Sequence, residues 1–340
     1  MTVRSAYADA GVDVEAGDRA VDLIRARLGT GRSDLLGGIG AFGAAVEIPA
    51  GYRQPILVTA TDGVGTKAEI AQRLGRLDTI GQDLVAMCAD AVVCHGAQPA
   101  FFLDYVAMGR VDPDRVATLV SGIASACESV GCALVGGETA EHPGLMDPDA
   151  FDLAGFCIGF VERDELIDGR AATAGDVVLG LASSGLHANG YSLVRRLVDT
   201  GALAIDEELL TPTRLYAPAV LRLLAQLRRR GLRLGGLAHI TGGGLAGNLP
   251  RAVGADLGVR INVGSWPEPH IFGQISQAAG IGGPEMRATF NCGLGFAAVV
   301  EPSAVDTTLA SLREAQIEAW VIGEVLPIAG LGGARYLEAE

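Results

Sequence analysis

The sequence predicts a two-domain protein of mixed α+β and α/β type. Strand-like and helix-like segments alternate in both halves of the 340-residue chain, a pattern that builds layered sheets covered by helices. A polar, glycine-bearing stretch, "DGRAATAGD" (168–176), separates the halves and sets the expected domains at 1–168 and 169–340. Hydrophobic residues make up 49% and charged residues 19%, enough apolar surface for two cores and too little charge for a disordered chain.

In chain order, the first 53 residues are glycine-rich and irregular apart from a helical pattern over Gly17–Leu28. "PILVTAT" (55–61) reads as a strand that ends at Asp62. "TIGQDLVAMCADAVVCH" (79–95) reads as a helix with Thr79 at its N-cap. Strand "FFLDYVAM", a helix over 113–130 with Pro113 in its first turn, and strands "CALVGG" and "FDLAGFCIGFV" complete the first half. The second half holds strand "DVVLGLAS", a helix over Tyr191–Val198, and a helix over 213–230 whose basic end, Arg228–Arg230, suits a helix C-terminus. Strand "LGVRINV", helix 269–279, strand "GLGFAAVV", helix 303–315 and strand "AWVIGEV" follow.

A net charge of −14 argues against nucleic acid or an anionic membrane surface as partner. A phosphate ligand would have to be met by local donors and cations rather than a basic field. No apolar run reaches the length of a membrane span, and the N-terminus lacks a signal-peptide core, so the cytoplasm is the expected compartment. The six cysteines form no C-x-x-C pair and read as reduced core thiols.

The chemistry concentrates in glycine loops. In "TATDGVGTK" (59–67) a strand ends at Asp62, and Gly63 and Gly65 free backbone N–H groups to cradle phosphate oxygens. Asp62 suits a divalent cation and Lys67 the phosphate charge. Alone this loop reads as a tight turn with a surface lysine, since it is not a P-loop spacing. Four more loops accompany it: "GGIGAF" (37–42), "VGGETAEHPG" (135–144) with Glu138 and Glu141 after a strand, "SSGLHANGYS" (183–192), and "TGGG" (241–244) opening a helix. Five such loops in one acidic chain point to a site for several phosphates.

"DAGVDVEAG", "TDGVGTK", "DTIGQDLVAMC", "FFLDY", "VGGETAE", "AGFCIGFVER", "SSGLHANGYSLVRRL", "TGGGLAGNLPR" and "FNCGLGF" follow one another along nearly the whole chain. The series resembles the phosphoribosylformylglycinamidine cyclo-ligases, or aminoimidazole ribonucleotide (AIR) synthases. The resemblance implies an AIR synthase-type fold, an N-terminal domain forming the core of a homodimer, and a C-terminal α/β domain beside it. It also implies ATP-dependent ring closure of formylglycinamidine ribonucleotide in de novo purine synthesis. ATP and Mg²⁺ are the implied cofactors. Asp62, Glu138 and Asp90 are the implied metal ligands. Gly40, Gly43, Gly63, Gly65, Thr66, Lys67, Gly136, Gly137 and Thr139 are expected to hold the nucleotide. Ser184, His187, Asn189, Thr241, Gly242, Gly243 and Gly244 are expected at the substrate, with His187, Asn189 and Lys67 as catalytic candidates. Asp104 reads equally well as a supporting carboxylate or a strand-end cap. His95, His142, His239 and His270 read as surface or packing residues.

Two positions depart from the family pattern. Ala91 stands where close members carry an aspartate, a metal ligand in the superfamily, and Gly247 stands where relatives often carry glutamate. Asp83 and Asp90, seven apart, share one helix face, whereas position 91 points about 100° away. The other readings are a nucleotide-binding homologue without turnover, which Ala91 favours, and another ATP-using member of the superfamily. Selenophosphate synthetase is disfavoured because no cysteine precedes Cys88.

Overall fold

A computed structural model describes residues 14–28 and 43–339. "GGIGAF" and Gly40 lie outside the described residues. The first domain contains α1 (Val14–Leu28), β1 (Pro55–Gly63), α2 (Lys67–Leu74), α3 (Ile80–Val93), β2 (Gln98–Met108), α4 (Pro113–Ser129), β3 (Ala133–Glu141) and β4 (Phe151–Glu162). The second contains β5 (Val177–Ala182), α5 (Tyr191–Asp199), α6 (Ala217–Arg230), β6 (Leu234–His239), α7 (Gly244–Asn248), β7 (Leu257–Asn262), α8 (His270–Ala279), α9 (Gly283–Thr289), β8 (Leu294–Val300), α10 (Val305–Glu314), β9 (Ala319–Pro327) and β10 (Tyr336–Ala339).

The first sheet has the order β1-β4-β2-β3. β4 runs antiparallel to β1 and β2, while β2 and β3 are parallel and joined through α4. Asp112 caps α4 by accepting from the N–H groups of Asp114 and Arg115, and Pro113 supplies a first-turn position that needs no N–H. Thr79 stands before α3 without a side-chain cap bond. One sheet face packs through Phe102, Val106, Leu153 and Cys157 into the main core, with Leu84, Cys88 and Val92 of α3 and Ile123 and Cys127 of α4. The opposite face carries Phe101, Phe160 and Val135 and leaves Leu57 56% and Phe156 45% exposed.

The second sheet has the order β10-β7-β9-β5-β8-β6, antiparallel except for β10 beside β7. β8, "LGFAAVV", is buried at every position, as a central strand covered on both faces must be. The expected helix over 213–230 begins only at Ala217, because 211–216 runs without helix against α3. β6, α9 and β10 are further elements beyond those read from sequence. The six cysteines are free thiols, five of them buried and Cys94 half-buried. Among the described residues no helix is long and apolar enough to cross a membrane.

Candidate active site

The strand register lines up one row across the first sheet: Asp62, Gly155, Asp104 and Gly137. Residues directly paired across neighbouring strands point to the same face, so Asp62 and Asp104 share the helix-covered side. Gly137 has a steric reason to be glycine, since a Cβ there would sit 1.5 Å from Asp104 Oδ1. Asp104 is buried, and its Oδ2 has no hydrogen-bond partner among the described residues. Burial pushes its carboxyl up to about 7. It is neither a strand-end cap nor satisfied by a neighbour, and it lines a cavity.

That cavity, of about 830 Å³, is lined by Thr59–Thr61 of β1, Leu103–Tyr105 of β2, Leu134–Thr139 of β3, Phe156–Ile158 of β4, Gly43 and Ala44, and one face of α1. Its volume lies in the range of small-molecule sites. Gly43, Gly136, Gly137, Glu138 and Thr139 are thus brought together. Glu138 is exposed and lies on β3 itself, which runs on to Glu141 rather than ending before it.

The loop after β1 leads away from this cavity towards the second domain. Asp62 is exposed, and its Oδ1 accepts from Gly63 N–H. Partial enclosure raises its carboxyl pKa, with the Gly63 bond opposing. Thr66 Oγ1 lies 3.4 Å from Ser192 Oγ at the start of α5. On the facing loop Asn189 Nδ2 donates to Met87 Sδ of α3 at 3.7 Å, and Asn189 Oδ1 stands beside Gly242. Ala91 follows Met87 by one turn on α3, so that helix face, the 183–190 loop and the 241–244 loop come together where the domains meet.

Several expected site residues serve the domain seam instead. Lys67 is completely buried. Its ammonium donates to Asp83 Oδ1 at 2.7 Å and to the carbonyls of His187 and Thr211 at 2.8 Å each, which uses all three of its protons. No donor remains for an ATP phosphate, so that expectation is corrected. Asp90 is corrected likewise: its carboxylate accepts from Tyr216 N–H and Ala217 N–H at the start of α6 and is closed to a metal. Burial pushes Asp90 up to about 8, the two N–H bonds pulling the other way.

The three proposed metal ligands do not form a set. Asp62 on β1 and Glu138 on β3 are separated by three inter-strand spacings, about 14 Å. Glu138 pairs with Tyr105, one step out of the Asp62–Asp104 row, and so points to the opposite face. Among the described residues no group of three or more His, Cys, Asp or Glu side chains is placed to hold a metal ion. Residue 91 is alanine and offers no ligand atom.

His187 is also turned inward. It is buried in a left-handed backbone conformation, φ 63°, and its Nε2 accepts from Ser184 N–H at 3.1 Å. Its ring packs towards Tyr216 and Gly295, where a Cβ would lie 2.2 Å from the ring. Burial, reinforced by the charges of His239, Lys67 and Arg214, holds its pKa well below the usual range. A proton-moving role at the substrate is not supported by this arrangement. Ser184 Oγ is engaged by Pro212 O. His239, expected at the surface or in packing, is buried with neither ring nitrogen bonded among the described residues and is held near 4 by burial. The 241–244 loop opens a helix of only five residues, too short for the dipole argument made for it. Asn248 Nδ2 turns back to the carbonyls of Thr241, Gly242 and Gly244, and a Cβ on Gly244 would clash with Arg287.

Asp104 and the seam were the features that sequence reasoning under-read. The shared face of Asp83 and Asp90 was visible from their spacing, but their partners lie about 130 residues away.

Residues 43–161 match the family described as AIR synthase related protein, N-terminal domain, and residues 173–332 match the corresponding C-terminal domain. The chain is 46% identical to phosphoribosylformylglycinamidine cyclo-ligases of Burkholderia vietnamiensis and Burkholderia mallei over 329 residues, 94% of this chain and 92% of theirs. Among solved structures it is similar to thiamine-monophosphate kinase from Stenotrophomonas maltophilia, at 20% identity and TM-score 0.68, covering 94% of this chain and 95% of that one. It is also similar to the hydrogenase maturation protein HypE in complex with ATP, at 19% identity and TM-score 0.68, covering 97% and 94%. Those two likenesses bear on the fold alone. With both AIR synthase-type domains present and close kinship along nearly its whole length, the chain belongs to the phosphoribosylformylglycinamidine cyclo-ligase family.

Proposed function

We propose that this protein closes the imidazole ring of 5-aminoimidazole ribonucleotide from formylglycinamidine ribonucleotide, at the expense of ATP. The carrying observation is the path of β1. Thr59–Thr61 line the glycine-walled cavity, and Asp62 and Gly63, next along the same strand, lead into the turn whose Thr66 reaches Ser192 of the second domain. A nucleotide seated against Gly43 and Gly136–Thr139 would lay its phosphates towards Gly63, Gly65 and Thr66, with the substrate across the domain junction at Asn189 and Gly242.

The formyl oxygen is a poor leaving group. Transfer of the γ-phosphoryl group makes it a phosphate ester, a substrate nitrogen attacks the activated carbon, and phosphate departs with that oxygen. Catalysis of this kind rests on alignment and on exclusion of water. The loop amides after Asp62 orient the phosphates, Asn189 positions the substrate, and the apposed domains shield the junction. Asp62 and Glu138 each offer an open carboxylate to a magnesium ion carried by phosphate oxygens. As a set with Asp90 they do not fit a metal site, and no step here depends on one. The domains meet near 168/169. A cytoplasmic homodimer, as the family resemblance implies, is the proposed working form.

The test is incubation with formylglycinamidine ribonucleotide and Mg-ATP, reading the aminoimidazole by diazo coupling and ADP in parallel. The two should appear one to one. Absence of aminoimidazole, with the substrate verified by a known cyclo-ligase, overturns the proposal.

A further inference from the structure

The ammonium of Lys67 joins three segments that are distant in sequence: Asp83 of α3, the carbonyl of His187 in the 183–190 loop, and the carbonyl of Thr211 before α6. Lys67 is also the first residue of α2, directly after the Asp62–Thr66 loop, and it lies 5.5 Å from the Tyr191 ring centroid at the start of α5. We propose that Lys67 is a positioning residue that couples nucleotide occupancy of the Asp62–Thr66 loop to the geometry of the 183–190 loop, which presents Asn189 to the substrate. This inference rests on the cyclo-ligase reading of the two loops.

Four features support the coupling. The Lys67 side chain is wholly enclosed, so its stem has no freedom to absorb a displacement of its own backbone. Its three protons meet three acceptors, which makes the ammonium a rigid tripod rather than a mobile charge. The bond to His187 O falls on a non-glycine residue with φ 63°, a conformation that persists only where its surroundings hold it. Apart from the long contact of Asn189 Nδ2 with Met87 Sδ of α3, the 183–190 loop is otherwise pinned from within its own domain, by Asn291 Nδ2 to the carbonyls of Gly185 and Leu186, by Ser184 Oγ to Pro212 O and by Ser184 N–H to the His187 ring. Lys67 is therefore the buried tie that reaches this loop from the nucleotide side. Asp83 supports it from behind, its Oδ1 also accepting from Thr213 N–H and Thr213 Oγ1.

The consequence is measurable as a binding linkage, which is reciprocal. In the full-length protein, the imido analogue of ATP should tighten binding of formylglycinamidine ribonucleotide about fivefold or more, and the substrate should tighten the analogue by the same factor. The double variant Lys67→Met/Asp83→Asn removes both buried charges together. Its coupling factor should fall to about one, and kcat should fall at least tenfold, while the affinity for the analogue alone changes less than threefold. Lys67→Arg should restore neither the coupling nor kcat, because a planar fork cannot meet three converging acceptors. Retention of wild-type coupling and kcat by the double variant overturns the inference while leaving the cyclo-ligase reading intact. Absence of turnover in the wild type overturns that reading and this one with it. A readout independent of any variant is amide hydrogen exchange over 183–190 in the wild type. The analogue alone should slow it, and unchanged exchange overturns the coupling even if the double variant fails to fold.

Discussion

The domain seam and the sheet cavity use the same residue types to opposite ends. In the seam, Lys67, Asp83 and Asp90 are fully buried and joined by eight hydrogen-bond contacts with segments 187 and 211–217 or with one another, and of their polar atoms Asp83 Oδ2 alone lacks a partner among the described residues. In the cavity, Asp104 is 7% exposed, one of its oxygens likewise lacks a partner, and the wall beside it is stripped to glycine at 136 and 137, so that it faces open volume. Buried polar groups are normally paired because an unpaired one costs free energy. A densely bonded, enclosed cluster therefore reads as architecture, and an unpartnered carboxyl facing an open volume reads as a place prepared for a ligand.

The harshest test of the seam is Lys67→Met alone. It strands Asp83 as an unpaired buried carboxyl, and breaking one half of such a pair costs about 3–5 kcal/mol. Urea unfolding should show a loss of that order, with Asp83→Asn in the same chain recovering a large part of it. Loss below about 1 kcal/mol would mean that the pair is not buried in solution.

Asp90 gives the next effect, and its sign follows from its folded pKa. The carboxyl is raised from an ordinary 3.8 to about 8, so the folded state prefers it protonated. That preference is fully favourable below about pH 4 and is lost as pH rises through 8. Each unit of separation is worth about 1.4 kcal/mol. Asp90→Asn keeps an acceptor for Tyr216 N–H and Ala217 N–H and removes the titration. The variant's gain over wild type should be about 4 kcal/mol larger at pH 9 than at pH 5, measured by urea unfolding at both pH values. Equal gains at both would show that burial is not the cause.

On the cavity side, Gly137→Ala and Gly295→Ala form a matched pair. Each places a methyl group against a buried polar side chain, Asp104 in the cavity and His187 in the second domain, and each should cost about 2 kcal/mol by overpacking. Only Gly137→Ala should also weaken binding of an ATP analogue, by about tenfold in calorimetric titration. Equal effects of the two on nucleotide affinity would dissolve the distinction between the regions.

Much of this architecture was legible. Alternating segments, the Pro113 helix start and the basic end of α6 each rest on local physics, and each element falls within a few residues of its expected place. β6, "LGGLAH", escaped because two glycines weaken a strand pattern, and only pairing with β8 reveals it. Lys67 misled for a related reason. A lysine after a glycine loop suits a phosphate by local chemistry, and nothing within a few residues announces that His187 and Thr211 fold onto it. Asp104 was undecided because its environment is made by Gly137, a strand neighbour 33 positions along the chain. Glycine loops reported their presence well, but which of them face a ligand was settled by which side chains the other domain had already claimed.

The finest test concerns Asp104 itself. With its carboxyl raised to about 7 by burial, it is largely neutral at pH 6 and ionised at pH 8. An ionised carboxylate facing a cavity that takes a nucleotide repels phosphate oxygens, and partial enclosure leaves that repulsion less screened than at the surface. The affinity for an ATP analogue should therefore fall about threefold between pH 6 and pH 8 in the wild type. The nucleotide's own titration over this range is removed by comparison with Asp104→Asn, whose profile should lack the extra fall. If the two profiles superimpose, phosphates held at Gly63, Gly65 and Thr66 lie too far from the unpaired oxygen of Asp104 for its charge to be felt.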